Sequence, residues 1–356
     1  MKLGLIVPSN IWFAPFVNIY VRLLQESSVD YDIISWNRDG SESNKGLQFE
    51  KRSNSQGLLS KMLSYQQFAS FVKKTIRKNH YDKLIVFCPQ LAIFISRFLE
   101  KHYKGRYIFD YRDLSIEQKW YFKQPFLRVL RNSFANVISS PGFKRCLPKG
   151  FDYLLSHNFN IDAVRSALNS SNLAPAVTMD EIKVLTIGGI RDYSSNIEVV
   201  KALANKDSFR IQFVGKGAAA KMIEEYAVEN NIKNIEFEGY YPKEKEAGYI
   251  KEASFLNVFY PRKLSHDTAL SNRFYNAMIH RRPMIVTSNT IQGDYVEQYQ
   301  LGLSLEDCEN LDVKMKSYLS TLSIEDFAKR CNRLLESFLE DYDNWENKIK
   351  KFVLEK

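Results

Sequence analysis

The stretch KVLTIGGI, residues 183–190, is an apolar run that ends in two glycines. A short apolar run that stops at a glycine turn is typical of a buried strand. A helical pattern follows at about 195–205, and a second strand with a glycine turn comes at 209–217, FRIQFVGKG. Strand and helix patterns continue to alternate to about residue 310, which is typical of a doubly wound parallel sheet.

The first half of the chain shows the same alternation. KLGLIV at 2–7, YDIISW at 31–36, KLIVFC at 83–88 and RYIFDY at 106–111 are predicted strands, and the polar segment 37–58 is predicted to be a loop. We therefore expect an α/β protein with two tandem Rossmann-like domains, each built on a doubly wound parallel sheet. Such sheets bind ligands at the carboxyl ends of their strands.

The predicted domains follow from where this periodicity stops. Residues 163–180 are rich in Ser, Asn, Ala and Pro, so we place a linker at 166–180 between an N-terminal domain at 1–165 and a C-terminal domain at 181–339. A helical tail, about 340–356, is expected to pack back on the N-terminal domain. Two such domains are expected to face each other across a cleft.

Several classes of protein are not indicated. The four cysteines form no C-x-x-C pair and the five histidines form no metal-binding pattern, so no metal site is expected. The N-terminal apolar run is too short for a signal peptide. The most apolar window, 84–99, is interrupted by Pro89, Gln90 and Arg97, so we do not expect it to span a membrane. These features predict a cytoplasmic protein.

The net charge of +9 is concentrated in the first half of the chain. Residues 1–165 hold 25 Lys+Arg and 13 Asp+Glu, a net charge of +12, and the remainder carries a net charge of −3. This asymmetry indicates a polyanionic partner such as nucleic acid, anionic lipid or a phosphorylated acceptor. Helix-turn-helix spacing and RNA-type aromatic motifs are missing, so nucleic acid is not the expected partner.

The segment EQKWYFKQPFLRVLRNSF, residues 117–134, alternates basic and aromatic residues. This pattern is typical of a segment that lies on an anionic membrane. It is also compatible with a helix that buries an apolar face and leaves a basic flank in solvent. The first interpretation predicts peripheral contact with the inner face of the plasma membrane.

Two glycine turns of the C-terminal domain could bind an anion. Gly188 and Gly189 precede Arg191, and Gly215 precedes Lys216. Glycines let backbone N–H groups approach phosphate oxygens, and the cationic side chains add positive charge at the same sheet edge. Glycine is also common in strand-to-helix turns that bind nothing.

A third turn lies in ALSNRFYN, residues 269–276. Ser271 can cap the helix that follows, which leaves first-turn N–H groups available to an anion. Arg273 lies in that first turn, where a cation opposes the helix dipole unless an anion neutralises both. A solvated surface arginine is the alternative. The three turns each follow a strand of one domain, so together they predict a diphosphate site.

Polar residues also follow the strands of the N-terminal domain. Asp113 and Arg112 follow the strand RYIFDY, His157 follows DYLLS, and Ser9 and Asn10 follow the first strand. At a strand end they could face the cleft, with Asp113 as a catalytic or acceptor-positioning group. An Asp–Arg pair that closes a turn, and a hinge hydrogen bond at His157, are the structural alternatives.

With these motifs the chain resembles the GT-B glycosyltransferases, within them the bacterial branch that builds capsular and other surface polysaccharides. The resemblance covers most of the chain and is carried by the motifs IGGIRD, FVGKG, FEGYY, ALSNRFYN and VEQYQLG, and by RYIFDYRDL and SHN in the first half. It implies a hexosyltransferase that moves a sugar from a nucleoside-diphosphate sugar to a lipid-linked or growing glycan, with retention of configuration. No cofactor is implied, and UDP is favoured over GDP as the donor nucleotide.

The resemblance also implies roles for particular residues. Arg191 would contact the donor diphosphate, and the nucleotide-sugar site would be lined by Asn272, Arg273 and Tyr275. The wider family has two glutamates eight positions apart around this segment, the second of which commonly binds the ribose hydroxyls. Here these positions hold Thr268 and Asn276, and an amide can still hydrogen-bond a hydroxyl, although more weakly than a carboxylate.

Other functions remain open at this point. A sugar-nucleotide epimerase of the same fold would need no lipid acceptor. A non-catalytic nucleotide-sugar-binding subunit is compatible with the two missing glutamates.

Overall fold

The structure is a computed structural model, and it describes residues 1–40, 47–52, 57–170 and 179–355. The chain divides into two units. One is formed by Met1–His157 together with Asp341–Lys356, and the other by Asn158–Glu340. The predicted N-terminal domain ended at residue 165, whereas the first passage into the second unit comes at Asn158. Residues 171–178 of the predicted linker lie outside the described residues.

The first unit contains a parallel sheet of seven strands in the order β3-β2-β1-β4-β5-β6-β7. Helices flank the sheet, and the strand order reverses between β1 and β4. The elements are β1 (Lys2–Val7), α1 (Val17–Glu26), β2 (Asp30–Asn37), β3 (Leu47–Glu50), α2 (Leu58–Asn79), β4 (Lys83–Phe87), α3 (Pro89–Phe94), α4 (Ser96–Tyr103), β5 (Tyr107–Tyr111), α5 (Lys123–Asn132), β6 (Ala135–Ile138) and β7 (Tyr153–Leu155).

The second unit contains a parallel sheet of six strands in the order β10-β9-β8-β11-β12-β13. Its elements are α6 (Ile161–Asn169), β8 (Ile182–Ile187), α7 (Tyr193–Leu203), β9 (Phe209–Val214), α8 (Ala220–Glu229), β10 (Ile235–Glu238), α9 (Glu246–Glu252), β11 (Phe255–Val258), α10 (Leu264–Thr268), α11 (Asn272–Ile279), β12 (Met284–Thr287), α12 (Ile291–Tyr299), β13 (Gly302–Leu305) and α13 (Leu311–Ser320). The last helix, α14 (Ile324–Leu354), begins in this unit and ends in the first.

The central strands β8, β11 and β12 of the second sheet are buried on both faces because helices cover both. Val184 and Leu185 are neighbours on β8, and their side chains pack into two different hydrophobic clusters. Successive side chains of a strand point to opposite faces, so the two clusters lie on the two sides of the sheet. A strand buried in this way has a continuous apolar sequence, which explains the pattern in KVLTI.

The end of α14 belongs to the first unit through buried contacts. The Trp345 side chain is completely buried, lies edge-on to the Tyr20 ring at 5.0 Å, and donates its indole N–H to the Tyr20 hydroxyl. The Lys83 ammonium donates to the backbone carbonyls of Phe352 and Glu355. The two lysine hydrogen bonds satisfy carbonyls that the helix end leaves without intrahelical partners.

One predicted loop contains a strand. Within the segment 37–58, residues Leu47–Glu50 form β3, which pairs in parallel with β2 at the edge of the first sheet. The Phe49 ring packs against Trp36, at 5.7 Å between ring centroids. Four residues with charged and polar neighbours carry too little periodicity for a strand prediction, so this strand depends on tertiary contacts.

Candidate functional site

The second sheet has a reversal of strand order between β8 and β11. The chain passes from β8 to β9 on one side and from β11 to β12 on the other, so the loops after β8 and β11 diverge. Such a switch point leaves a crevice at the carboxyl ends of the strands. A cavity with a volume of about 510 Å3 lies here, and residues that follow β8, β10 and β11 line it.

Seven of the predicted site residues line this one cavity. They are Gly188, Gly189, Arg191, Ser271, Asn272, Arg273 and Asn276. The first and third predicted turns are therefore brought together by the fold, although about 80 positions separate them in the chain.

Arg273 forms the floor of the cavity and is held there by strand ends. Its guanidinium donates to the backbone carbonyls of Ile187 at 2.5 Å, Gly189 at 2.9 Å and Asn257 at 3.3 Å. The residue is only 6% exposed, and its charge lies among carbonyl dipoles that end two adjacent strands. A guanidinium has five N–H groups, so capacity remains to donate to an anion in the cavity.

Arg191 is an exposed cation of the same cavity. No hydrogen bond or ion pair holds its side chain within the residues that the structure describes. Its guanidinium passes beside Gly189, where a Cβ atom would lie 3.4 Å from Nε. The side chain can therefore turn toward an anion without breaking an existing contact.

The start of α11 closes this side of the cavity. The Ser271 hydroxyl accepts a hydrogen bond from the Phe274 amide at 3.3 Å, as predicted for an N-cap. The Ser271 amide and hydroxyl both donate to Oε1 of Gln292, which fixes the turn. The amides of the next two residues lie in the first turn and have no partner within the helix, so they can donate to a bound anion.

Glu246 provides an acidic wall of the cavity. It was not identified from the sequence as a site residue. Its Oε1 accepts from the Asn276 amide at 2.7 Å, and its Oε2 accepts from the Tyr241 hydroxyl at 2.9 Å. The Lys243 ammonium lies 2.6 Å from both oxygens. Burial and this carboxylate raise the pKa of the Tyr241 phenol well above its usual value. The sequence signal that could have identified Glu246 is its position at the start of the helix that follows β10.

Asp192 is a second acidic residue of the cavity, and it is already paired. Its carboxylate lies 3.1 Å from the Lys263 ammonium and 3.9 Å from Nε2 of His266. This pairing joins the loop after β8 to the loop after β11 and reduces the negative charge that Asp192 presents to the cavity.

The second glycine turn differs from its prediction. Gly215 and Lys216 line a separate cavity of about 380 Å3 after β9 and β10. Gly215 has a φ of +131°, and a Cβ on it would lie 2.1 Å from the Gly188 carbonyl oxygen. Close packing of two strand-end loops therefore accounts for this glycine, whereas Lys216 is exposed and lies 5.9 Å from the Tyr240 ring.

Two residues implied by the resemblance lie outside the cavity lining. Tyr275 is buried in the hydrophobic core, between the Phe159 and Phe338 rings at 5.6 and 5.7 Å. Consecutive helical residues differ by about 100° in direction, so Asn276 faces the cavity and Tyr275 cannot. The Thr268 hydroxyl donates to the Leu264 carbonyl at 2.7 Å, within its own short helix.

In the first unit, Asp113 is exposed after β5, and its carboxylate accepts from the Leu114 amide at 2.8 Å. The neighbouring Arg112 has a structural partner instead. It forms a buried ion pair with Asp110 at 2.5 Å and donates to the Ser156 carbonyl at 3.0 Å. Arg112 therefore ties the ends of β5 and β7 together, the turn-closing alternative of the sequence analysis.

The remaining candidates of the first unit also have internal partners. Asn10 is completely buried, and its amide donates to Asn37 at 3.0 Å and to Asp39 at 2.7 Å. Ser9 is half-buried beside it. His157 is buried, and its Nε2 lies 3.0 Å from Oδ2 of Asp341. These contacts hold the loop after β2 and the start of the tail, and the predicted role in a cleft stays a prediction.

The segment 117–134 is divided between core and surface. The helix α5 buries Phe126, Val129 and Leu130. In the turn before it, Trp120 is 85% exposed and Tyr121 is 46% exposed. The apolar face of α5 is therefore buried, as the second interpretation predicts, whereas membrane contact of the exposed turn stays a prediction. Among the described residues, no helix combines the length and the apolar character needed to cross a bilayer.

Comparison with known proteins identifies the fold. No family model and no curated protein matches the sequence. Solved structures match over essentially the whole chain, among them the following three. Sucrose-phosphate synthase from Thermosynechococcus elongatus has 15% identity and a TM-score of 0.65, with 100% of each chain covered. HepE from Anabaena, in complex with UDP, has 12% identity and a TM-score of 0.67, with 99% of this chain and 100% of that chain covered. WaaG, a glycosyltransferase involved in lipopolysaccharide biosynthesis, has 11% identity and a TM-score of 0.63, with 100% of each covered.

Structures of UDP-GlcNAc 2-epimerases match less well, as for the enzyme from Methanocaldococcus jannaschii with a TM-score of 0.55 at 12% identity, over 96% of this chain and 100% of that chain. Identities this low show a shared fold. The chain has the two-domain GT-B fold, with parallel sheets of seven and six strands.

Proposed function

We propose that the protein is a glycosyltransferase that uses a nucleoside-diphosphate sugar, with the donor diphosphate bound in the cavity of the second unit. The observation that carries this proposal is that Arg191, Arg273 and the first turn of α11 line one cavity at the switch point of the sheet. Cationic side chains and helix-start amides together form an anion site.

The proposed chemistry follows from where charge develops. When the bond between the anomeric carbon and the diphosphate oxygen breaks, negative charge grows on the leaving diphosphate, and the acceptor hydroxyl forms the new bond and loses its proton. Fixed positive groups stabilise that charge because they need not reorganise during the reaction. We assign this role to Arg191, Arg273 and the start of α11, and expect transfer without a metal cofactor. Asp113, exposed after β5, is our candidate for positioning the acceptor or accepting its proton.

The acceptor belongs to the first unit in this proposal. The net charge of +12 on residues 1–165 favours an anionic acceptor or surface, and the exposed Trp120 and Tyr121 provide aromatic contacts at a membrane interface. We therefore propose a lipid-linked or growing surface polysaccharide as the acceptor, at the inner face of the plasma membrane. Retention of configuration and a hexosyl donor carried by UDP are part of the same proposal.

A binding screen followed by a turnover assay tests the proposal. The midpoint of thermal unfolding should rise with UDP more than with GDP, CDP or ADP. A ligand that binds the folded state more tightly stabilises it more at the same concentration. With a UDP-sugar and a lipid-linked glycan, release of UDP should depend on the acceptor. A chain that none of the four nucleotides stabilises would contradict the proposal.

An epimerase is the second candidate, because two UDP-GlcNAc 2-epimerases share the fold at TM-scores of 0.55 and 0.56. It would convert UDP-GlcNAc to its epimer with no acceptor present, which NMR of the sugar nucleotide detects. Tight nucleotide binding without transfer or epimerisation would instead favour a non-catalytic binding subunit.

A further inference from the structure

Both carboxylate oxygens of Glu246 are held by neutral donors from other elements. The Asn276 amide comes from α11, and the Tyr241 hydroxyl comes from the loop after β10. Its side chain is only 12% exposed. The carboxylate therefore has a fixed orientation at the cavity wall, and both donors leave further lone pairs on each oxygen.

The remaining partner of Glu246 is displaceable. The Lys243 ammonium contacts both oxygens at 2.6 Å, but its side chain is 76% exposed. This ion pair contributes little to stability, because water competes for the exposed ammonium and the flexible lysine side chain must be ordered. A ligand that offers two hydroxyl donors could take the place of the ammonium at little cost.

The charges of the cavity suggest which part of a ligand lies at Glu246. Arg191 and Arg273 provide the cationic side, and a diphosphate would lie there. Asp192 adjoins Arg191 in the chain and is paired with Lys263 of another loop. Glu246 is oriented by two neutral donors, and its cationic partner is the more exposed Lys243, so Glu246 is our candidate carboxylate for hydroxyl groups. A nucleoside diphosphate carries a vicinal diol on its ribose, and two adjacent hydroxyls can donate to the two oxygens of one carboxylate.

We propose that Glu246 is the carboxylate that receives the ribose hydroxyls of the donor nucleotide, oriented by Asn276 and Tyr241. This inference rests on the proposed function, because it requires a nucleoside diphosphate in the cavity. It makes Glu246 a specificity-determining residue that distinguishes a ribonucleotide from its 2′-deoxy counterpart.

The test measures the binding of UDP and 2′-deoxy-UDP to the full chain by isothermal titration calorimetry. We expect the wild-type protein to bind UDP roughly tenfold more tightly than 2′-deoxy-UDP, as for loss of one hydrogen bond to a charged group. Glu246→Gln keeps the shape of the side chain but removes its charge, and it should reduce this ratio to about threefold or less. The matched control is Glu244→Gln, an exposed neighbour outside the cavity lining, which should keep the wild-type ratio.

An exchange of the two side chains tests the geometry independently. Asn276 and Glu246 hydrogen-bond across the same point, so the double variant Glu246→Gln/Asn276→Glu retains one carboxylate and one amide there. We expect it to recover most of the preference for ribose. Because the double variant still pairs one carboxylate with one amide, it can be measured even if Glu246→Gln alone unfolds.

The outcomes separate this inference from the proposed function. If UDP binds but Glu246→Gln leaves the UDP to 2′-deoxy-UDP ratio unchanged, or the wild type shows no preference for ribose, the role of Glu246 is wrong and the nucleotide site stands. If the double variant folds and binds UDP and 2′-deoxy-UDP equally well, the proposed position of the ribose at the Glu246–Asn276 contact is wrong. If the wild type binds neither nucleotide, both proposals fail.

Discussion

Nε2 of His157 lies 3.0 Å from Oδ2 of Asp341, and these two residues are the points where the two chain segments of the first unit meet the second. His157 ends the segment that begins at Met1, and Asp341 begins the segment that completes α14. This partly buried hydrogen bond thus joins the end of the first chain segment of the unit to the start of the second.

This pair predicts a pH dependence of stability. Burial lowers the pKa of the His157 imidazole below its usual value of 6.5, although Asp341 opposes the shift. As the pH falls below 6.5, the unfolded chain takes up a proton at this position before the folded protein does, so the free energy of unfolding should decrease. His157→Gln removes the titrating group, and its unfolding midpoint in urea should fall less steeply between pH 7 and pH 5.

His280 also lowers the free energy of unfolding as the pH falls, because burial lowers its pKa to about 4. It does so equally in the wild type and in His157→Gln. The control is His102→Gln, at an exposed position of α4, which should follow the wild-type curve. Identical slopes for His157→Gln and the wild type would show that His157 does not titrate in this way.

Arg191→Ala should weaken the binding of UDP and leave the binding of uridine unchanged. A charge-assisted hydrogen bond contributes about 1.5–3 kcal/mol, so the dissociation constant of UDP should rise roughly 10- to 100-fold. Titration calorimetry with both ligands measures the difference. Arg210→Ala removes an exposed arginine of β9 that pairs with Glu181 and should have no effect. Equal losses for UDP and uridine would count against a contact with the diphosphate.

Gly215→Ala should destabilise the protein strongly. The new Cβ would lie 2.1 Å from the Gly188 carbonyl oxygen at a backbone φ of +131°, so the loops after β8 and β9 must separate. We expect a loss of about 2–4 kcal/mol in the free energy of unfolding, measured by urea denaturation.

Gly248→Ala is the matched control for that substitution. Gly248 lies within α9, and apart from its chain neighbours and its own helical backbone no atom of the described residues lies within 4 Å of an added Cβ. Alanine is the better helix former, so this variant should be more stable by up to about 1 kcal/mol. A Gly215→Ala protein as stable as the wild type would mean that these loops do not pack as described.

The exposed aromatic turn before α5 should contribute to membrane binding. Trp120→Ser combined with Lys119→Gln and Lys123→Gln removes an exposed indole and two exposed charges. Each lysine near an anionic surface contributes about 1 kcal/mol, so the partition coefficient for vesicles that contain phosphatidylserine should fall roughly tenfold or more. Sedimentation with vesicles measures it.

Val228→Ser, at an exposed position of α8 in the second unit, is the control for this surface. It should sediment with the same vesicles as the wild type does. Unchanged sedimentation of the triple variant would refute the membrane interpretation of the segment 117–134.

Much of the fold could be predicted from the sequence because its signals are local. Apolar runs that end in glycine or proline, such as KVLTI before Gly188, mark buried strands wherever they occur. The cap at Ser271 was predictable for the same reason, since a capping side chain reaches only the next three residues. The strand β3 was missed because four residues with polar neighbours carry no such signal.

The candidate site was predictable only in part. Strand-end positions indicated that Arg191 and Arg273 lie near each other, and both line one cavity, since parallel strands end at one edge of the sheet. The role of Gly215 was not predictable, because its glycine requirement comes from the Gly188 carbonyl in the loop after another strand. Tyr275 was assigned by resemblance, and its burial against Phe338 depends on how α14 packs.

The sequence by itself determined the two parallel sheets, the positions of the polar strand ends and the uneven charge, because periodicity, turn residues and composition are properties of short stretches. Only the tertiary structure decided which strand ends share a cavity and which polar groups are already paired. Asn276 meets Glu246 across 30 positions of the chain, and Arg273 meets the Gly189 carbonyl across 84. Contacts over such distances depend on strand order and helix packing, which no local pattern encodes.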